Sequence, residues 1–221
     1  MSRPRQYKQN GLVVPYITAW TSEETAAPNV ERRIGKGGAG LGFRDETEYD
    51  RDPEGALWVR QAIAPGKGRA RFDTVHALRQ RRAMQHLLCQ VCGVSVLEEG
   101  TGRHLFVLKE VGRPVAEGET TTAPPVCESC APIAARSCPL LRAGHVAVWV
   151  EQPLAWGVSG VLYDSRTLRR IPGDTLVDVA YGTPEIRWIV ASRMRVALHD
   201  CTAADIRHLL PAAESEACGV P

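Results

Sequence analysis

The sequences LCQVCG (residues 88–93) and PPVCESC (residues 124–130) each contain a Cys-x-x-Cys pair. A Cys-x-x-Cys turn places two sulfurs about one tetrahedral edge apart. Two such turns supply the closed four-sulfur shell of a structural zinc, with no open position for water. The sequence therefore predicts one structural Zn2+ site with the ligands Cys89, Cys92, Cys127 and Cys130.

A fifth cysteine, Cys138, follows the second pair closely. It is placed either to displace one of the four ligands or to fill the core, and we favour the core because buried cysteine behaves as a small hydrophobic residue. A thioredoxin-like redox pair is the other alternative for Cys89 and Cys92. It would begin a helix after a strand, whereas Cys89 is predicted to follow a helix.

The composition is that of a soluble globular protein. The chain has 221 residues, of which 44% are hydrophobic and 24% charged, and this length favours one domain or one with an embellishment. No apolar run of about 18 residues is present, so we expect no membrane partner. The start MSRPRQYKQNG lacks the apolar stretch of a signal peptide. We therefore expect a cytoplasmic location, where thiols stay reduced and free to bind metal.

Charge is distributed unevenly along the chain. Residues 45–54 contain six carboxylates and one arginine, whereas residues 67–82 contain six bases and one aspartate. Bases held close to a rigid zinc turn can follow the phosphates of DNA or RNA at little ordering cost. The alternative is a solvated basic helix face that the acidic run neutralises. The predicted nucleic-acid-binding residues are Lys67, Arg69, Arg71, Arg79, Arg81 and Arg82.

Two further motifs are interpreted as structural. Residues 35–40 match a dinucleotide-binding Gly-x-Gly-x-x-Gly string, but neither a buried strand nor a helix flanks it, so we expect a loop. Residues 50–55 imitate the first half of a calcium-binding loop. The twelfth position of that loop would be Gln61, which is not a bidentate carboxylate, so a solvated acidic turn is expected.

Hydrophobic patterning predicts an α+β fold with flanking antiparallel strands and a C-terminal helix-bearing region. The order of a zinc turn, a hairpin and a second zinc turn is typical of a treble-clef or zinc-ribbon core. We divide the chain into an N-terminal tail and edge strand (residues 1–30), a zinc-centred domain (31–143) and a C-terminal α/β part (144–221) packed on it. The first ten or so residues are expected to be disordered. A helix capped by Asp73 or Thr74 is expected to lead to Leu88. Residues 94–97 and 105–111 are expected to form a hairpin between the zinc turns.

The C-terminal part is predicted to contain two strands in residues 145–163, another in residues 175–181, and two helices. The first helix would begin at the N-cap Thr183, with Pro184 at N1. Its apolar stripe would comprise Ile186, Ile189, Val190, Met194, Ala197 and Leu198. The second would begin at a capping box at Thr202 and end at Leu210.

The segment from Asp73 to Arg142 resembles the HNH endonucleases. The order of its parts is a basic helix, a Cys-x-x-Cys-Gly turn, a hairpin with a histidine, and a second Cys-x-x-Cys followed by a helix. The resemblance implies that His104 is the general base of a nuclease. Arg103 stands where that family has an acidic residue or a histidine, and the family's asparagine and final metal-binding histidine have no counterparts after Gly112. We therefore predict that His104 is structural.

The chain is also similar to uncharacterised actinomycete proteins that carry CQVCG and a later PPVC-x-x-C, a resemblance that implies no activity. The residues and the charge pattern together favour a zinc-stabilised nucleic-acid-binding or regulatory interaction protein over an enzyme, with DNA, RNA or another protein as partner. The alternatives are a degenerate HNH-like metal-dependent nuclease or hydrolase and an accessory protein of a biosynthetic or phage-related pathway.

Overall fold

A computed structural model describes residues 4–35, 37–97, 102–173 and 176–206. The described chain is a mixed α+β structure with many strands and few helices, which confirms the predicted class. The strands are β1 (Tyr7–Gln9), β2 (Leu12–Val14), β3 (Thr18–Trp20), β4 (Val30–Gly35), β5 (Gly38–Phe43), β6 (Leu57–Trp58), β7 (Ala70–Val75), β8 (His104–Lys109), β9 (Thr120–Thr121), β10 (His145–Leu162), β11 (Val177–Ala180) and β12 (Ile189–Ala204). The α-helices are α1 (Ala77–Gln85), α2 (Ala131–Ser137) and α3 (Pro139–Arg142).

A six-stranded sheet organises the fold. Its order is β11-β10-β12-β6, with β8 paired to β10 and β9 paired to β12. All pairings are antiparallel except that of β12 with β6. Strand β8 belongs to the segment 31–143 and β10 to the segment 144–221, so this sheet takes strands from both sides of the predicted boundary at residue 143.

The two faces of this sheet bury different cores, because successive side chains of a strand point to opposite faces. In β8, Leu105 and Val107 pack with the cysteine pairs and with α2 and α3. Phe106 and Leu108 point the other way, toward a second core that includes Met84 of α1. The cysteine pairs therefore lie against one face of the sheet and α1 against the other.

The predicted helix after Thr183 is wrong. Residues Pro184–Trp188 form only a short 3-10 turn, and residues 189–204 form strand β12. Strand β12 is paired with β10 from Ile189 to Ala204, apart from two irregularities. At one of these, Ser159 faces Arg193 and Gly160 faces Ala191, so Ser192 is an extra residue in β12. This bulge interrupts the two-residue alternation of the buried side chains. Val190 and Ala197 on the opposite face are buried as well, so the predicted helical stripe combines residues of both faces.

Other predicted elements are corrected in part. Residues 105–111 do contribute a strand, but β8 pairs with β10, and Ser95 of the first run pairs with Leu88 instead. Helix α1 is capped by His76 because the preceding residues extend β7 to Val75. Residues 145–162 form a single strand.

The structure also tests the elements predicted near the C-terminus and in the glycine-rich segment. Thr202 belongs to β12 and does not cap a helix, and the remainder of that predicted helix, from residue 207, lies outside the described residues. The strand predicted in residues 175–181 is present as β11. The Gly-x-Gly-x-x-Gly string, expected to be a loop, instead forms the end of the β4–β5 hairpin, with Gly35 in β4 and Gly40 in β5. Among the described residues, no helix is long and apolar enough to cross a membrane.

Candidate metal centre and basic face

The first cysteine pair lies in a tight turn that follows α1. Leu88 and Ser95 form a bridge across the turn, and the Cys89 N–H donates to the Val94 carbonyl at 2.8 Å. The Gly93 N–H donates back to the Cys89 carbonyl at 2.8 Å, and the φ angle of Gly93 is +70°, in the left-handed region that favours glycine. These bonds close the backbone around the first pair and hold it in a tight turn.

The second cysteine pair is fixed between β8 and α2. The Val126 N–H donates to the Leu105 carbonyl at 2.8 Å, which ties the approach to the pair to β8. The Cys130 and Ala131 N–H groups both donate to the Cys127 carbonyl, at 2.9 and 3.1 Å, and α2 begins directly after this turn. Each pair is therefore held by its own backbone hydrogen bonds.

Gln90 joins the two turns. Its N–H donates to the Pro125 carbonyl at 2.9 Å, and its side-chain amide donates to the Pro124 carbonyl at 3.1 Å. The two proline carbonyls accept these bonds shortly before the second cysteine pair. The relative position of the two turns is therefore fixed by protein contacts as well as by any bound ion.

The four predicted cysteines come together in a possible metal-binding site. Their sulfurs all lie within 4.8 Å of one another, and the Cys92 and Cys127 sulfurs are 3.8 Å apart. A tetrahedral zinc with Zn–S bonds of about 2.3 Å requires sulfurs separated by about 3.8 Å. Cys89, Cys92 and Cys130 are buried and Cys127 is partly exposed. The donor set and the spacing both fit a closed structural site.

The neighbouring thiols favour deprotonation of two of the four cysteines. Hydrogen bonds from the other cysteines, with Cys127 contributing most, lower the pKa of Cys92. Hydrogen bonds from Cys130 and Cys89 lower the pKa of Cys127 to about 6. Cys138 is outside this four-sulfur group and packs against the same apolar core. Its position supports the predicted packing role.

His104 lies at the start of β8, opposite Val150 of β10. The side chain is buried, with 7% of the residue exposed, and its Nδ1 has no hydrogen-bond partner among the described residues. Burial lowers the pKa of His104. A general base must reach the proton that it removes, so a buried position supports the predicted structural role over the nuclease role.

The six bases predicted to bind nucleic acid separate into three groups. Lys67, Arg69, Arg71 and Arg82 are exposed. Arg81 is half-buried, and its guanidinium lies 4.7 Å above the ring of Trp58. Arg79 is buried and forms an ion pair with Glu23, so it is unavailable to a phosphate.

Two further exposed bases, Arg5 and Lys8, belong to the segment around β1, which packs against residues 66–70. Gln9 of β1 exchanges two hydrogen bonds with Ala70, because its side-chain oxygen accepts from the Ala70 N–H and its amide donates to the Ala70 carbonyl. The Tyr7 ring packs directly on Gly66, where a Cβ would lie 2.3 Å from a ring carbon. We call Arg5, Lys8, Lys67, Arg69 and Arg71 the basic face.

The sequence contains a signal for the first strands of this face. Asn10 and Gly11 have φ angles of 51° and 78°, as a two-residue hairpin turn between β1 and β2 requires. An Asn-Gly pair between short runs is a strong hairpin signal. The expectation that the first ten residues are disordered overlooks this pair, and Arg5 and Lys8 are therefore missing from the predicted binding residues.

The basic face is connected to the first cysteine turn by backbone hydrogen bonds. The Tyr16 N–H donates to the Val91 carbonyl at 2.9 Å, and the Ile17 N–H donates to the Gln90 carbonyl at 3.3 Å. Strand β3 follows and pairs with β7. The chain thus runs from the β1–β2 hairpin, across the cysteine turn, to the strand that positions the bases of β7.

The acidic run is the expected solvated turn only in part, because Glu48 and Glu54 are exposed but two of its aspartates are not. Asp50 and Asp52 are buried, with 7% and 5% of each residue exposed. Hydrogen bonds from Arg60 lower the pKa of Asp50 to about 2. Asp52 accepts hydrogen bonds from the Ala56 N–H and from the Trp58 indole. Asp50 and Asp52 are therefore structural hydrogen-bond acceptors.

No family model, curated protein or solved structure matches the chain.

Proposed function

We propose that this protein is a zinc-stabilised nucleic-acid-binding protein. The metal is assigned as zinc because four thiolates at tetrahedral spacing are the donor set of structural zinc sites. The second cysteine turn leads directly into α2. This order supports our assignment of the centre to the treble-clef or zinc-ribbon class.

The main observation that supports the proposal is the basic face. Its five bases are exposed, and they come from β1 with the residues before it and from β7 with the loop that leads into it. Strand β7 contains one carboxylate, Asp73, which is exposed. Such a surface attracts the phosphate backbone regardless of base sequence, and binding releases the counterions of the nucleic acid.

The proposed zinc would support binding indirectly. It would fix the first cysteine turn, whose Gln90 and Val91 carbonyls accept the hydrogen bonds from Ile17 and Tyr16. A segment that is already ordered loses less conformational entropy when it binds a partner. Zinc therefore has a structural role in this proposal, and the phosphates are bound by the basic face.

The proposal is tested by fluorescence anisotropy with labelled single-stranded and double-stranded DNA and single-stranded RNA over a range of salt concentrations. We expect log affinity to fall linearly with log salt. Replacement of Lys67, Arg69 and Arg71 together by alanine should weaken binding to every sequence about equally. It should also flatten the slope by about 1 for each phosphate that the variant no longer neutralises.

A triple alanine variant at Lys109, Arg166 and Arg169 is the matched control. These bases are also exposed, lie outside the basic face and carry the same total charge. The control should reduce affinity much less than the variant of the basic face. Equal losses would indicate non-specific attraction, and no binding by the wild type at low salt would refute the proposed function.

A further inference from the structure

A concave cavity of about 430 Å3 is lined by residues that belong neither to the cysteine centre nor to the basic face. Its apolar walls include Phe43, Val59, Val161 and Val190, which come from the β4–β5 hairpin and from the central sheet with its flanking segments. Cavities of about 300–1,000 Å3 with apolar walls and a few polar groups are typical of small-molecule sites. The nucleic-acid proposal makes no use of this cavity.

Two polar side chains of the cavity lie side by side. Tyr163 and Arg170 are bridged across a short turn, a pairing that puts both side chains on the same face. Asp164 rigidifies the turn by accepting hydrogen bonds from the Thr167 N–H at 2.7 Å and from the Arg166 N–H at 3.0 Å. The backbone of the turn that carries the pair is therefore ordered before any ligand arrives.

Both polar groups have unused hydrogen-bonding capacity. Tyr163 is buried, and within the described part of the chain its hydroxyl has no hydrogen-bond partner. Arg170 is exposed, and the described residues provide no carboxylate within ion-pair distance of it. Burial raises the pKa of Tyr163, so its hydroxyl stays protonated and can donate. A tyrosine hydroxyl beside a guanidinium is suited to bind an anionic oxygen pair.

The other charged side chains that line the cavity have partners of opposite charge. Arg60 is held by Asp45 and Asp50, with nitrogen–oxygen distances of 2.7–2.9 Å, and its guanidinium stacks on the Phe43 ring at 4.6 Å. Asp45, the carboxylate of the cavity lining, is thereby neutralised. Arg44 at the rim is mainly exposed and lies 3.8 Å from Glu31. Among the described lining residues, Arg170 is therefore the charge that no carboxylate compensates.

We propose that this cavity binds a small amphipathic carboxylate. The carboxylate would accept hydrogen bonds from Arg170 and the Tyr163 hydroxyl, and its hydrocarbon body would lie against Phe43, Val161 and Val190. The apolar body of such a ligand matches the apolar walls of the cavity. The two oxygens of its one carboxylate match the two neighbouring donors.

Isothermal titration calorimetry with octanoate tests this proposal, because octanoate has one carboxylate and a flexible apolar chain. The wild type should bind octanoate, and Arg170→Gln should weaken binding by at least about tenfold, the effect of losing a charge-assisted hydrogen bond. Tyr163→Phe should weaken it by about threefold to tenfold, because one neutral donor is removed while the ring remains.

Three comparisons make the experiment specific. Octanamide should bind more weakly than octanoate to the wild type and be almost unaffected by Arg170→Gln. Arg169→Gln, which removes a neighbouring exposed charge outside the cavity, should leave octanoate binding unchanged. Circular dichroism checks that each variant is folded. An absence of octanoate binding by the wild type, or equal losses in Arg169→Gln and Arg170→Gln, would overturn the proposal.

Discussion

The buried ion pair between Glu23 and Arg79 gives the sharpest test of this structure. The Glu23 carboxylate accepts hydrogen bonds from both terminal nitrogens of Arg79, at 2.6 and 2.7 Å, and from the Trp20 and Ala64 N–H groups, at 2.8 and 3.0 Å. Arg79 also donates to the Thr18 carbonyl at 2.7 Å. The pair therefore fastens α1 to the β3 strand and to the segment that follows it.

Removing one partner should cost much more than removing both. Burial raises the pKa of Glu23, but the hydrogen bonds from Arg79, Ala64 and Trp20 outweigh it and bring the pKa below its ordinary value. In Arg79→Met the carboxylate would stay buried without its countercharge, a change that costs about 3–5 kcal/mol. Combining it with Glu23→Gln removes the second charge and should recover about 1–3 kcal/mol.

Urea denaturation at a fixed zinc concentration measures these changes in the free energy of unfolding. Arg82→Met is the matched control on the same helix, because Arg82 is exposed, and it should change stability by less than about 0.5 kcal/mol. If Arg79→Met destabilises the protein no more than Arg82→Met does, the buried ion pair is absent and the packing that we describe for α1 is refuted.

Two more predictions concern the metal and pH. Elemental analysis should find one zinc per chain. Cys89→Ser should abolish zinc binding and destabilise the fold, since structural zinc contributes on the order of 10 kcal/mol to folding. The control Cys138→Ser should retain the zinc. Fully folded, metal-free wild-type protein would contradict this prediction. Burial lowers the pKa of His76 from 6.5, so its contribution to stability is complete above pH 6.5 and declines as pH falls below that value. His76→Asn keeps an N-cap side chain. Between pH 7 and pH 5, urea denaturation should therefore show a smaller loss of stability in this variant than in the wild type. Identical losses would contradict the assignment of this pH dependence to His76.

The four-cysteine cluster could be predicted from the sequence because its information is local. Each Cys-x-x-Cys turn fixes two sulfurs with a few backbone hydrogen bonds, and the donor chemistry limits what such a cluster can hold. The pairing of β8 could not be predicted in this way. Its partner is β10, and β-branched runs indicate that a strand forms without indicating which strand it pairs with.

Strand β12 shows how a local irregularity misleads sequence reasoning. Ile189 and Ala191 alternate as a strand requires, and Met194, Val196 and Leu198 alternate again, but Ser192 is an extra residue between the two runs. Bulges are set by pairing across the sheet, so they leave no clear signal in the sequence of one strand. Val190 and Ala197 on the other face are buried too, so the apolar residues of both faces together match a helical stripe. The Thr-Pro pair at residues 183–184 also has the form of a helix start.

The basic segment shows the same limit for charge. Arg79 and Arg82 are both arginines of α1, yet Arg79 is buried against Glu23 and Arg82 is exposed. Their difference is caused by the Glu23 carboxylate, which is distant from α1 in sequence and follows β3, the strand that pairs with β7. The same packing brings β1 beside Ala70 and adds Arg5 and Lys8 to the basic face. Of the six predicted bases, the basic face keeps Lys67, Arg69 and Arg71 and gains Arg5 and Lys8. The surface that we propose for nucleic acid is therefore a product of tertiary structure.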